Sequence, residues 1–134
     1  MIKPLFKPTI KTNNVGACMM RLFFSRNQAH VFHLQTASFA KHKALNEYYD
    51  GIIPLTDDLI EQYQGKYGII KGYKCTCEII EDPNQVTKYF EDLRTYVLDI
   101  RYTEFKKEDS EIQNNIDEIV SLLNSTIYKL KFLN

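Results

Sequence analysis

The chain has 134 residues, of which 44% are hydrophobic and 13% aromatic, and its 17 basic side chains balance 17 acidic ones. This length and apolar content suffice to bury one core, which excludes a disordered chain and predicts a single domain. No run of about eighteen apolar residues occurs, and the N-terminal sequence MIKPLFKPTIK has no apolar signal core, so we expect neither membrane insertion nor secretion.

The basic residues are concentrated at the start of the chain. Residues 1–46 contain seven Lys or Arg and no acidic residue, which leaves ten basic and seventeen acidic residues after them. Lys3, Lys7 and Lys11 lie in a Pro-containing tail and are candidates for contacts with DNA phosphates. Three lysines release few counterions, so we expect DNA binding to be weak at physiological salt.

The three cysteines, Cys18, Cys75 and Cys77, are an odd number at spacings that form no disulfide framework. This usage is typical of a reducing compartment, so we expect a cytoplasmic protein. Cys75 and Cys77 are a weak indication of a thiolate metal site, since no second pair accompanies them.

After a tail of residues 1–12, the sequence predicts a first helix that Asn13 or Asn14 can cap. Its apolar stripe extends to about Gln35 and comprises Val15, Met19, Leu22, Phe23, Ala29 and Phe32. Thr36 or Ser38 can open a second helix, which we expect to end at Gly65. The core face of that helix comprises Leu45, Tyr48, Ile52, Leu55, Leu59 and Tyr63.

Between Gly65 and Pro83 the helical pattern gives way to three glycines and the run YKCTCEII, which predicts an irregular or strand-like connection. Its residues at about 3.3 Å each span about 60 Å, more than the roughly 36 Å length of a helix of about 24 residues. The connection can therefore return the chain to the far end of a bundle.

Two further helices follow this connection. Asp82 with Pro83 begins a third helix, and Ser110 opens a fourth. The predicted core residues are Val86, Phe90, Leu93, Val97, Ile100 and Phe105 in the third helix and Ile112, Ile116, Ile119, Leu123, Ile127 and Leu130 in the fourth. The prediction is an all-α four-helix bundle in residues 13–134, with a long crossover between helices 2 and 3.

A polar stripe lies beside the core face of the second helix. His42, Asn46, Asp50, Asp57 and Glu61 fall within roughly 100° of one face, and His30 precedes His42 by twelve residues. Imidazole and carboxylate together are ligands for iron and other first-row divalent metals. Fifteen helical residues place His42 and Asp57 about 22 Å apart, so only two antiparallel copies can bring them to one ion.

The segment QAHVFHLQTASFAKHKALNEYYDGI, followed by Asp57 and Glu61, resembles the first two helices of the Dps-type miniferritins, dodecameric ferritin-like proteins that oxidise iron. The last segment, IDEIVSLLNSTIYKLKFL, is similar to their final helix. The chain is also similar to uncharacterised ferritin-like proteins of tailed bacteriophages, which share the HLQTxSFAxHxALNEYYD and YQGKYGI runs.

This resemblance implies a four-helix ferritin-like bundle, a homo-oligomer with two-fold contacts that extends to a dodecamer, and a cytoplasmic location, in the host if the chain is phage-encoded. It implies iron at an intersubunit site, with His30 and His42 from one copy and Asp57 and Glu61 from its mate. Oxidation of ferrous iron by oxygen or hydrogen peroxide is the implied activity.

The chain departs from the miniferritin pattern at several positions. Asn46 stands where an acidic residue is usual, Val31 stands where a Trp is usual, and Pro54 interrupts the second helix. His33 can replace His30 if the alignment takes a three-residue gap. His33, Asn46 and Asp50 are therefore weaker candidate ligands.

Two alternatives belong to other functional classes. The chain could be a structural or interaction protein that keeps the bundle without redox chemistry, since a fold alone does not fix an activity. It could also be a DNA-associated assembly that uses the basic N-terminal third. Zinc, or no metal, is the alternative to iron.

Overall fold

The computed structural model describes residues 14–134. It contains four α-helices and one 3₁₀ turn at Pro83–Gln85; the helices are α1 (Val15–Gln35), α2 (Phe39–Tyr67), α3 (Val86–Thr103) and α4 (Ser110–Phe132). No strand occurs in this part of the chain, so the all-α bundle is confirmed and the strand-like form of the connection is wrong. The predicted tail, residues 1–12, lies outside the described residues.

Side-chain hydrogen bonds mark the starts of α2 and of the 3₁₀ turn, whereas Asn14 before α1 and Asp109 before α4 form no capping bond. The Ser38 hydroxyl accepts the backbone N–H of Lys41 at 3.2 Å, which caps α2 as the sequence predicts. The Asp82 carboxylate accepts the backbone N–H of Asn84 at 3.0 Å and starts the 3₁₀ turn that leads into α3. These bonds satisfy amide groups that have no partner inside the helix.

The second helix is longer than the sequence predicts. It passes through Pro54 and Gly65 and ends at Tyr67, where Gly68 takes a φ of 95°. Only glycine adopts this left-handed conformation at little cost, so Gly68 and not Gly65 ends the helix.

One core joins all four helices. The predicted core residues are buried, except that Phe23, Leu55 and Tyr63 are only partly buried. Inside this core the hydroxyl of Ser25 donates to the carbonyl of Leu22 at 2.6 Å, so the Tyr48 hydroxyl, 2.7 Å away, must donate to Ser25. Burial without charged partners raises the pKa of Tyr48 well above that of an exposed tyrosine.

Neighbouring helices run antiparallel. Ser25 meets Tyr48 near the middle of the α1 and α2 pair, and His33 meets His42 at its turn. The Nζ of Lys66 bonds Asp109 at 2.7 Å where α4 begins, and Glu47 bonds Lys129 where α4 ends. Arg101 pairs with Asp117, and Arg94 with Asn124, between α3 and α4.

The first and third helices are also antiparallel neighbours. The Arg21 guanidinium lies 4.7 Å from the ring centroid of Tyr96, and the rings of Phe32 and Tyr89 are 6.0 Å apart. Because α2 and α3 therefore run in the same direction, the connection between them, residues 68–82, crosses the length of the bundle. We call this segment the crossover.

The crossover is fixed to α1 at both ends. Near its start, the backbone of Lys71 and Gly72 packs so closely on Gly16 that a Cβ there would lie 2.5 Å from the Lys71 oxygen. Near its end, the buried amide of Gln28 accepts the N–H of Ile80 at 2.7 Å and donates to its carbonyl at 2.9 Å. The first helix is therefore the support along which the crossover lies.

The expectation of no disulfide is wrong for one pair. Cys75 and Cys77 form a disulfide within the crossover, whereas Cys18 is free and buried in α1. The two-residue spacing places the Cα atoms 5.2 Å apart in the non-helical backbone, within the range that a disulfide bridges. None of the helices in residues 14–134 is long and apolar enough to span a membrane.

Candidate functional site

Three histidines meet at the turn between α1 and α2. The turn of residues 36–38 folds the two helices back on each other, so that the rings of His33 and His42 stack with centroids 3.6 Å apart. His30 lies one turn earlier on α1, with its ring centroid 5.8 Å from that of His33. We call these three residues the histidine cluster.

Reciprocal hydrogen bonds fix the tautomers of His33 and His42. The Nδ1 of His33 lies 2.7 Å from the carbonyl oxygen of His42, and the Nδ1 of His42 lies 3.0 Å from the carbonyl oxygen of His33. A carbonyl only accepts, so both Nδ1 atoms carry hydrogen and donate. In the neutral rings the lone pair is left on Nε2, which is the arrangement of metal-ligating histidines.

His30 has the opposite arrangement. Its Nδ1 lies 3.1 Å from the Nη1 of Arg26, and a guanidinium only donates, so this Nδ1 accepts. The neutral ring then carries its hydrogen on Nε2 and keeps no free lone pair. Its ring also stacks on Tyr49 with centroids 4.6 Å apart. His30 must break its contact with Arg26 before it can bind a cation through Nδ1.

Asn46 and Asp50 continue this polar network along α2. The hydroxyl of Tyr49 donates to the Asn46 side-chain oxygen at 2.6 Å, and the Asn46 amide nitrogen donates to Asp50 at 2.8 Å. Arg26 lies 5.1 Å from the Tyr49 ring centroid. Both polar atoms of Asn46 are therefore occupied within the protomer.

Asp57 and Glu61 lie farther along the same helix. Both side chains are exposed and form no hydrogen bond or ion pair within residues 14–134. Glu61 lines an open hollow of about 580 Å³ with Asp58 and Glu111. The helix is continuous from His42 to Asp57, so these carboxylates do not approach the histidine cluster of the same protomer.

The described residues of one protomer therefore form no complete metal site. In the described residues, no group of three or more His, Cys, Asp or Glu side chains is placed to hold an ion. His42 is exposed and has a free Nε2, which fits a ligand, whereas His33 is only 7% exposed and holds the His42 ring. The remaining ligands would have to come from a second copy.

Arg26 is the residue of this site that the sequence analysis missed. Arg26 precedes His30 by four residues, the spacing at which helical side chains meet, so this contact had a sequence signal. The stacking of Tyr49 on His30 depends on how α1 packs on α2, and no pattern within either helix indicates it.

The fold and the site define an all-α four-helix bundle protein with a histidine cluster between its first two helices. Residues 33–130 match the model of a family of unknown function, DUF5856, and this match spans well over half of the chain. The chain belongs to that family. The match begins at His33, so it includes His42, Asp57 and Glu61 but not His30. No curated protein and no solved structure matches the chain significantly.

Proposed function

We propose that the protein is a ferritin-like bundle protein that binds ferrous iron between two copies and oxidises it in the cytoplasm. The topology supports the ferritin-like assignment. Four helices that are antiparallel to their neighbours, with one long crossover between the second and the third, are typical of that class. The sequence resemblance to Dps-type miniferritins supports it independently.

The observation that carries the metal proposal is the state of His42. Its Nδ1–H is held by the His33 carbonyl, and its ring is exposed, so its Nε2 is available to an ion outside the protomer. In the proposed site, His42 acts with His30 or His33, and a second copy contributes Asp57 and Glu61. Two-fold pairing of α2 with its mate would repeat this arrangement twice.

The proposed chemistry follows from these ligand types. Neutral imidazole and anionic carboxylate both bind ferrous iron, and the carboxylates offset the charge that increases when iron becomes ferric. Each ferrous ion gives up one electron, and hydrogen peroxide takes two with two protons to give two water molecules. The iron is therefore the substrate of the reaction, and the protein supplies the ligands and their charge.

A complementation experiment tests both the metal and the interface. His42→Ala and Glu61→Ala are each expected to lose bound iron or zinc and ferrous oxidation. In an equimolar mixture after dissociation and reassembly, mixed pairs contain one intact site, so metal content should return to roughly a quarter of wild type. Lys43→Ala, an exposed neighbour of His42, is the control.

Three results would overturn the proposal: metal retained in His42→Ala, no recovery in the mixture, or a monomeric native mass in the presence of iron. A native mass that corresponds to an even-numbered assembly is expected, with a dodecamer as the form that the miniferritin resemblance implies.

The second candidate is an interaction or structural protein with the same bundle and no redox activity. Two observations favour it: Arg26 occupies the lone pair of His30, and large apolar side chains are exposed where α1, α2 and α4 share an end. These are Leu34, Phe39 and Phe132, at 72%, 78% and 69% exposure. An assembly that forms without metal and oxidises no ferrous iron would select this candidate.

A further inference from the structure

The middle of the crossover contains one covalent link, the disulfide between Cys75 and Cys77. Its ends are anchored, since the N–H of Ile70 donates to Gln64 at 3.0 Å and Gln28 bonds Ile80 on both sides. Between these anchors, residues 71–79 form no hydrogen bond or ion pair within the described chain. The disulfide of Cys75 and Cys77 is the one bond that closes this segment on itself.

This disulfide is poorly placed to stabilise the fold. It joins two residues of the crossover to each other and ties the segment to no helix. The entropic stabilisation from a disulfide increases with the length of the loop that it closes. Here the loop contains one residue, Thr76, between the two cysteines. The pair therefore contributes little to the stability of the fold.

Two hollows flank the pair and meet at one arginine. Cys75 lines a hollow of about 220 Å³, and Cys77 lines another of about 270 Å³. Arg21 of α1 lines both, and the Tyr96 ring, 4.7 Å from its guanidinium carbon, holds it there. A small molecule in either hollow would meet both a cysteine and this cation.

The charges around the two cysteines differ. The hollow of Cys75 is lined by two cations, Arg21 and Lys74, and by no carboxylate. The hollow of Cys77 is lined by Arg21 together with two carboxylates, Glu78 and Asp92. Cations favour a thiolate and carboxylates oppose it, so in the reduced protein the Cys75 thiol ionises more readily.

We propose that Cys75 and Cys77 form a reversible dithiol–disulfide site that exchanges with low-molecular-weight thiols and disulfides. The reduced Cys75 thiolate attacks a disulfide RSSR, forms a mixed disulfide and releases RS⁻. The Cys77 thiolate then attacks the Cys75 sulfur, forms the internal disulfide and releases the second RS⁻. The protein loses two electrons and two protons, and RSSR becomes two RSH.

Cys18 provides an internal reference for this chemistry. It is 2% exposed, and burial raises the pKa of its thiol. A buried neutral thiol is a poor nucleophile, so Cys18 should remain unmodified when Cys75 and Cys77 react.

The first test equilibrates the full-length protein in mixtures of reduced and oxidised glutathione and counts alkylated thiols by mass spectrometry. A reversible transition confined to Cys75 and Cys77 is expected. Thiols that stay reduced at every ratio, or a disulfide that no ratio reduces in the folded protein, would overturn the proposal.

The second test compares single-thiol variants. Cys77→Ser, which keeps Cys75, should be alkylated at neutral pH about two- to threefold faster than Cys75→Ser, which keeps Cys77. Lys74→Met in the Cys77→Ser background should remove most of that difference, because Lys74 lines the hollow of Cys75 alone, whereas Lys107→Met, an exposed charge in the turn before α4, should not. Equal rates, or no effect of Lys74→Met, would contradict the assigned roles.

Both tests are independent of the iron proposal, because they use the thiols alone and no metal.

Discussion

Gln28 is the residue that makes the crossover part of the fold. It is fully buried on α1, and its amide both accepts from and donates to the backbone of Ile80. A glutamine can supply both roles from one planar group, whereas a glutamate or a leucine cannot. Two backbone groups of the non-helical segment are thus paired without a strand.

Asp109 is a second residue with several partners, and it predicts a pH dependence. Its buried carboxylate accepts hydrogen bonds from Lys66 and Tyr67, and both bonds lower the pKa of Asp109. The bond between Tyr67 and Asp109 also raises the pKa of Tyr67 to about 12. The Asp109 contribution to stability is present above the unfolded pKa of about 3.9 and lost as the pH falls through the lower folded value. The Tyr67 contribution is present below about pH 10 and lost as the pH rises through about 12.

We expect Asp109→Asn to weaken the dependence of the unfolding free energy on pH at both the acid and the alkaline ends, which we call the two limbs of the curve. Urea denaturation at a series of pH values measures this dependence. The Asp109 side chain forms no capping hydrogen bond with α4, so the start of that helix should survive the substitution. Tyr67→Phe is the matched variant and should flatten the alkaline limb, but it should reduce the acid limb only in part, because Lys66 still bonds Asp109. Unchanged limbs in Asp109→Asn would show that this contact does not form in solution.

The histidine cluster illustrates what residue identities can and cannot predict. The sequence indicates the polar stripe, since His42, Asp57 and Glu61 share a face of one helix. It does not indicate which nitrogen of His30, His33 or His42 is free, because that depends on carbonyl oxygens and on Arg26. The intersubunit assignment of His30, His42, Asp57 and Glu61 stays a prediction.

At the scale of elements, two glycines in helices have opposite roles. A Cβ on Gly16 would lie 2.5 Å from the Lys71 oxygen and 2.7 Å from the Gly72 carbonyl, and backbone cannot move away cheaply. A Cβ on Gly65 in α2 would meet nothing within 4 Å. Alanine is the better helix former by about 1 kcal/mol at both positions. Packing alone therefore decides whether a Gly→Ala substitution raises or lowers the free energy of unfolding.

We expect Gly16→Ala to lower the free energy of unfolding by about 1–3 kcal/mol, and Gly65→Ala to raise it by up to about 1 kcal/mol. Urea denaturation followed by circular dichroism measures both. Gly65→Ala is the control for helix propensity. If both substitutions stabilise the protein, the crossover does not lie on α1 as described.

Elements differ in how far the sequence predicts them. The helices follow from apolar spacing and caps, and their core residues from the same spacing. The course of the crossover does not, because it depends on Gly16 and Gln28, which look like ordinary helical residues in sequence. The sequence predicts the end of α2 at Gly65, but the helix continues to Tyr67. It ends where the backbone of Gly68 takes a positive φ, and Gly65 keeps a helical conformation.

At the scale of the whole molecule, a long crossover does not divide the bundle into two hairpins. The buried cluster includes Leu22 of α1 and Ile119 of α4, which belong to different hairpins in sequence. Side chains from all four helices share this cluster, so neither hairpin buries its apolar face without the other. The bundle should therefore unfold as one unit.

We expect Leu22→Ala and Ile119→Ala each to lower the free energy of unfolding by about 2–5 kcal/mol while a single transition is kept. Helical circular dichroism and tyrosine fluorescence, measured at one protein concentration, should give coincident curves. Leu98→Ala on α3, where the side chain is 42% exposed, is the control and should cost less than about 1 kcal/mol. A second transition in Leu22→Ala that leaves α3 and α4 folded would mean that the hairpins are separable. The crossover would then link two folding units, and residues 14–134 would not form a single cooperative domain.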